Sequence, residues 1–195
     1  MNKQLPIYKF VIKEGDELNF GVDAVALVDE PAIERYFVAF NKNDNFQFRV
    51  TNEEKRIITG AAMIADLPIY RADSRGEYYA VFDAATIQQC VLRFFSEGLN
   101  KNVNMMHGET DKVSGVTLFE SFIIDTERGI SAPKGFASAP DGSWFCSYYV
   151  ANDEVWQMVK NGTFKGFSIE GHFEQLPIAV TDESAILSII DSIQE

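Results

Sequence analysis

Short stretches rich in β-forming residues and separated by polar turns dominate residues 1–82, and this pattern constrains the fold most. Short strands in close succession are typical of a β-barrel or a strongly curved antiparallel β-sheet. The pattern predicts strands at Ile7–Lys13, Ala24–Val28, Tyr36–Phe40, Phe46–Val50, Arg56–Ile64 and Glu77–Phe82.

Helical periodicity replaces this pattern in three places. Apolar residues recur at helical spacing between Asp83, which suits an N-cap, and Gly98, which suits a helix end. A shorter helix is predicted from an Asn152 cap to Gly162. The third follows Asp182, with isoleucines on one face. We therefore predict an α+β fold: a curved or barrel-like antiparallel sheet with two or three flanking helices.

The domain organisation follows from length and from the absence of a Pro/Gly-rich linker. A chain of 195 residues with 46% hydrophobic residues can form one sizeable core. We predict a single domain over residues 1–180. Residues 181–195 are then a helix or tail that docks on this domain or on a partner.

Charge, apolar stretches and cysteines exclude several classes of protein. A net charge of −12 disfavours nucleic acid and anionic membranes as partners. Apolar stretches are too short for a membrane-spanning helix, and the first ten residues do not resemble a signal peptide, so we expect an intracellular protein. Cys90 and Cys146 lack CxxC spacing and are expected to be buried free thiols.

His107 and His172 are the chain's two histidines, so each is a candidate general base. His107 closes the run Asn102–His107 and precedes a predicted turn, at the edge of regular structure, where functional side chains often lie. The alternative is a half-exposed histidine with a backbone partner.

The segment Lys165–His172 is the second candidate region. As a strand it places Ser168, Glu170 and His172 on one face by alternation. Gly166 and Gly171 leave room for another backbone or a substrate to approach closely. The alternative is an edge strand with one solvated face.

Strand geometry limits which of these groups can cooperate. At about 3.3 Å per residue, Ser168 and Glu170 lie roughly 6.6 Å apart, a distance that an imidazole can bridge. His172 is about 13 Å from Ser168 along the same strand. His107, arriving from elsewhere in the fold, is therefore the favoured base.

Glu120 is a second candidate acid, in the predicted strand Val116–Ile124. Alternation groups it with apolar residues, so its carboxylate needs a partner. That partner is either a Lys or Arg in a salt bridge or a histidine that Glu120 orients. A third hypothesis combines His107, His172 and a carboxylate in a metal site.

Several stretches of the sequence are similar to a known family. The chain resembles the phage prohead maturation proteases, in particular their phage serine protease branch, whose fold is similar to that of the herpesvirus protease assemblin. The similarity covers about residues 20–174. The stretches that carry it are Ala24–Ile33, Ile58–Arg71, Asn102–His107, Phe119–Asp125, Asn152–Trp156 and Lys165–Gly171.

The resemblance implies a serine endopeptidase. Ser168 takes the place of the nucleophile and His107 that of the general base. Assemblin has a second histidine well beyond its serine, a spacing that His172 does not match. The third catalytic member is then an acid, Glu170 or Glu120, and no metal or organic cofactor is required.

The resemblance also implies a biological role. Enzymes of this family lie inside the procapsid, which assembles in the host cytoplasm, and cleave scaffold and major capsid proteins and often themselves. Herpesvirus relatives are activated by dimerisation, so the resemblance also allows a homo-oligomer. The alternative is a catalytically silent capsid-assembly or scaffold-associated protein that keeps the protease fold.

Overall fold

The computed structural model describes residues 5–16, 19–29, 31, 47–52, 55–74, 76–107 and 113–178. The helices there are α1 (Ala84–Ser96), α2 (Asp153–Lys160) and a 3₁₀ turn (Leu99–Lys101). The strands are β1 (Ile7–Val11), β2 (Gly21–Val28), β3 (Arg49–Asn52), β4 (Ile57–Met63), β5 (Ile69–Asp73), β6 (Gly76–Val81), β7 (Val103–Met105), β8 (Val116–Ile123), β9 (Trp144–Val150), β10 (Gly166–His172) and β11 (Glu174–Pro177).

These strands form three sheets within the described residues. Their orders are β11-β1-β6-β5, β10-β2-β7 and β3-β4-β9-β8. The α+β class is confirmed, but the sheets do not close, so the barrel-like alternative is not confirmed. The antiparallel prediction needs a correction, because β1 runs parallel to β6 and β2 runs parallel to β7. Both parallel pairs are joined by long connections, as parallel strands require.

The core lies between the sheets and helix α1. Strand β9 reads as an almost continuous apolar run and is buried along nearly its whole length, as expected for a strand covered on both faces. The Phe94 ring on α1 lies edge-on to Trp144, with ring centroids 5.3 Å apart. Tyr148 packs against Phe167 of β10 at a tilt, with ring centroids 5.1 Å apart. These contacts fix β10, the strand of the candidate site, against the core.

Both described helices begin and end where the sequence predicts. The Asp83 carboxylate accepts a hydrogen bond from the Thr86 amide at 2.8 Å, and Asn152 caps α2 in the same manner. Gly98 and Gly162 follow the helices with φ of 69° and 77°, in the left-handed region that glycine tolerates. Local capping chemistry therefore sets both ends of both helices.

Two predicted elements lie outside the described residues: the strand at Tyr36–Phe40 and the C-terminal helix after Asp182. No described helix is long and apolar enough to cross a membrane. Cys90 and Cys146 are buried and free, as predicted.

Candidate active site

Strand β10 carries Ser168 and Glu170 on one face of the three-stranded sheet. Ser168 pairs with Ala26 of β2, and Glu170 pairs with Ala24. Residues directly opposite each other share a face, so this face of β2 presents methyl groups beside both. Ala26 pairs in turn with Asn104 of β7. The small side chains of β2 leave a path from β10 across to β7.

His107 follows the end of β7. Pairing with β2 extends to Met106, whose amide donates to the Leu27 carbonyl at 3.0 Å. Met106 and His107 then adopt φ of 50° and 60°, two successive left-handed residues without glycine. Such a conformation costs roughly 1–2 kcal/mol per residue and is found most often at functional sites. It turns the chain back and directs the His107 ring toward the sheet.

The Glu170 carboxylate joins the two strands. Its Oε1 accepts a hydrogen bond from Asn104 Nδ2 at 2.8 Å and lies 2.9 Å from His107 Nδ1. A carboxylate only accepts, so Nδ1 of His107 carries the shared hydrogen. Nε2 is then the ring nitrogen with the free lone pair. This is the tautomer that a serine protease uses, with the acid on one side of the imidazole and the nucleophile on the other.

The Ser168 side chain belongs to the same strand as Glu170 but makes no hydrogen bond to Glu170 or His107. Ser168 is 5% exposed, and its hydroxyl makes no hydrogen bond to His107 or to any other described residue. The Glu170 side chain is partly buried and the His107 side chain is 46% exposed. The structure thus forms the base–acid contact and leaves the serine–base contact open.

His172 contacts a different carboxylate from His107. The register of β10 against β2 shifts between Glu170 and Gly171, and beyond this bulge His172 pairs with Gly21. The extra residue is Asp23 of β2, so the alternation along β10 is kept, and His172 Nδ1 lies 3.4 Å from Asp23 Oδ2. The register is therefore compatible with the predicted row of Ser168, Glu170 and His172, and His172 contacts Asp23 rather than His107 or Ser168.

Glu120 does not lie in the apolar row that alternation predicts. A second bulge, between Leu118 and Glu120 of β8, breaks the alternation that grouped Glu120 with apolar residues. Glu120 is exposed, and its strand belongs to a different sheet from Ser168. An exposed carboxylate needs no buried partner. Of the two candidate acids, the structure brings only Glu170 to His107.

The two glycines of β10 make the close approaches that the sequence predicts. A Cβ atom on Gly171 would lie 1.9 Å from the Gly21 carbonyl oxygen, and one on Gly166 would lie 2.6 Å from the Pro31 ring. Both neighbours belong to this chain, so the room at these glycines is taken by its own backbone and side chains. Gly171 is what lets the bulge form.

The metal hypothesis gains no support from the described residues. His107 and His172 contact different carboxylates, Glu170 and Asp23. No three histidine, cysteine, aspartate or glutamate side chains come together in the described part of the chain.

Comparison with protein families decides the affiliation. Residues 46–176 match the family described as Putative phage serine protease XkdF. The chain belongs to this phage serine protease family. The match contains His107, Ser168 and Glu170, whereas the resembling stretch Ala24–Ile33 lies before it. The curated proteins and the solved structures contain no match.

Two residues near the candidate site were not singled out from the sequence. Asn104 is buried and donates to the same Glu170 oxygen as His107. A polar residue inside the short apolar strand β7 was the available signal. Arg71 of β5 lines a recess together with Ser168, and burial lowers the pKa of its guanidinium. No local pattern predicts that position.

Proposed function

We propose that the chain is a serine endopeptidase in which Ser168 is the nucleophile, His107 the general base and Glu170 the orienting acid. The observation that carries the proposal is the 2.9 Å contact between His107 Nδ1 and Glu170, on the face of the sheet that bears Ser168. Membership of a phage serine protease family supports the same reaction class.

Each side chain has one role in the reaction. Nε2 of His107 takes the proton of the Ser168 hydroxyl as Oγ attacks the carbonyl carbon of the scissile peptide bond. Glu170 stabilises the resulting imidazolium. His107 then donates the proton to the leaving amine, and the C–N bond breaks to leave an acyl ester on Ser168. Water, activated by the same histidine, hydrolyses this ester and restores the hydroxyl.

The serine–base contact forms when substrate binds. Catalytic hydrogen bonds are often long in unliganded sites and shorten in the complex. The exposed His107 ring has freedom to move, whereas Ser168 is fixed in a buried strand. Ring rotation about the Glu170 contact is the motion that the site requires.

The substrates that we propose are phage assembly proteins. The proposed targets are scaffold and major capsid proteins and the chain itself. It acts inside the procapsid, which assembles in the host cytoplasm, and it forms homo-oligomers there. A net charge of −12 is consistent with protein rather than nucleic-acid partners.

Co-expression with the neighbouring scaffold and capsid proteins tests this function. Wild type, Ser168→Ala and the control Glu120→Gln are compared, and all products are measured by intact mass. We expect defined cleavage products with wild type and Glu120→Gln and none with Ser168→Ala. Cleavage that persists in Ser168→Ala would refute the serine protease mechanism.

A second candidate function is a silent assembly protein that binds scaffold without cleaving it. The observation that favours it is the 5% exposure of Ser168, together with the absence of a contact to His107. In the same experiment, unchanged masses in all samples with the chain incorporated into particles would select this alternative.

A further inference from the structure

A cleft beside β10 extends the candidate site beyond the three proposed catalytic residues. A recess of about 10 Å³, roughly the space of one water molecule, lies against Ser168. An open cleft of about 350 Å³ lies against Glu170 and Gly171. Three residues line both spaces: Arg71 of β5, Phe82 and Ile169. Arg71 therefore lines both spaces that border the segment with Ser168 and Glu170.

Arg71 has a charge for which the described residues provide no counterion. The residue is half-buried, and its guanidinium makes no ion pair or hydrogen bond with any residue that the structure describes. Desolvation lowers its pKa, and the nearby Tyr78 hydroxyl offsets this in part. A desolvated, unpaired guanidinium is costly, and such groups in clefts often mark binding sites.

The Glu170 carboxylate does not serve as this counterion, although it lines the same cleft. Its Oε1 is held by Asn104 and His107 on the β7 side, and no ion pair joins Glu170 to Arg71. The positive charge of Arg71 thus remains available to a molecule in the cleft. The remaining walls are apolar and include Phe10, Phe82 and Phe173.

We propose that Arg71 binds the side-chain carboxylate of an aspartate or glutamate in the substrate, close to the scissile bond. Guanidinium and carboxylate form two parallel hydrogen bonds, a geometry that neutral amides do not match. The aromatic walls favour an apolar neighbour to this acidic residue. This inference rests on the proposed protease function and adds the substrate class: acidic–apolar segments of an extended peptide.

Paired peptides test the role of Arg71. Acetylated and amidated peptides that differ only by Glu or Gln at one position are cleaved by wild type, Arg71→Gln and Arg71→Lys. Their termini are blocked, so the side chain is the only carboxylate varied. The control is Arg128→Gln, an exposed site outside this cleft that changes the net charge equally. Circular dichroism and the thermal midpoint verify that each variant folds.

We expect wild type and Arg128→Gln to cleave the best Glu peptide at least tenfold more efficiently than its Gln partner. Arg71→Gln should lose this preference, and Arg71→Lys should keep part of it. Equal cleavage of the two peptides by wild type would overturn the inference. The inference would also be overturned if Arg71→Gln lowered the cleavage of both peptides equally, because Arg71 would then bind the peptide backbone.

A binding measurement separates this inference from the protease function. Fluorescent versions of the peptides are titrated with Ser168→Ala and with Ser168→Ala/Arg71→Gln. Tighter binding of the Glu peptide that depends on Arg71 supports the carboxylate site even where wild type cleaves nothing. Equal binding of both peptides overturns the site even where cleavage depends on Ser168.

Discussion

His107 and Glu170 are 63 residues apart in the chain, yet His107 Nδ1 lies 2.9 Å from Glu170 Oε1. Two features of the fold make this contact. Parallel pairing of β7 with β2 brings His107 to the sheet, and Ala24 and Ala26 leave the surface of β2 low enough for the Glu170 side chain to cross. The contact fixes the tautomer of His107 and so determines which nitrogen is available as a base.

Amidation of Glu170 should cost far more activity than amidation of Glu120. Glu170→Gln keeps the size of the side chain. A glutamine amide can donate as well as accept a hydrogen bond, so it no longer fixes the hydrogen of His107 on Nδ1. We expect kcat to fall by about 10⁴-fold, the size of effect known for the acid of serine protease triads. Glu120 is exposed on another sheet, so Glu120→Gln should match wild type. Steady-state kinetics on a scaffold-derived substrate measures both, and equal losses would refute the assignment of Glu170.

Asn104 is expected to be a positioning residue. It donates to the same Glu170 oxygen as His107, at 2.8 Å, and hydrogen bonds to charged groups contribute about 1.5–3 kcal/mol. Asn104→Leu keeps the volume of the side chain and removes the donor. We expect kcat to fall by roughly tenfold to hundredfold with KM little changed. A change in KM alone would show that Asn104 acts on substrate binding instead.

Gly171→Ala should disturb both stability and activity. The added Cβ would lie 1.9 Å from the Gly21 carbonyl oxygen, so β10 must separate from β2 at the bulge next to Glu170. We expect a loss of roughly 1–3 kcal/mol in the free energy of unfolding, measured by urea denaturation. The neighbouring His172 side chain is 79% exposed, so His172→Ala is the control and should stay within about 0.5 kcal/mol. Equal stability of the two variants would contradict this account of the bulge.

The two cysteines should be unreactive while the protein is folded. Burial raises the pKa of the Cys90 thiol to about 12 and raises that of Cys146 as well. The reactive thiolate is therefore almost absent at pH 7–8. We expect the two thiols to be alkylated only after the protein unfolds. Iodoacetamide labelling followed by intact mass is expected to give no adduct in buffer and two in denaturant. Rapid labelling in buffer would show that a thiol is exposed.

The sequence predicts those parts of the fold and site that depend on neighbouring residues. The caps at Asp83 and Asn152 act over three residues, and the shared face of Ser168 and Glu170 needs only regular alternation. The prediction from alternation failed where alternation is interrupted. The bulge after Leu118 moves Glu120 away from its predicted face, and this bulge has no distinct local signal.

Arg71 and Asn104 are residues near the candidate site that the periodicity of the sequence does not identify. Asn104 reaches Glu170 through the pairing of three strands, and Arg71, on a different sheet, lines the same recess as Ser168. Both positions depend on contacts between residues that are distant in the chain. Three-dimensional packing was required to find them.

The most direct test of the central claim is a double-variant comparison. kcat/KM on one scaffold-derived substrate is measured for wild type, Ser168→Ala, Glu170→Gln and Ser168→Ala/Glu170→Gln. Residues of one catalytic unit are strongly non-additive, so the account predicts that the double variant is no slower than Ser168→Ala alone. A double variant whose loss equals the product of the two single losses would show that Ser168 and Glu170 act independently, which contradicts the account.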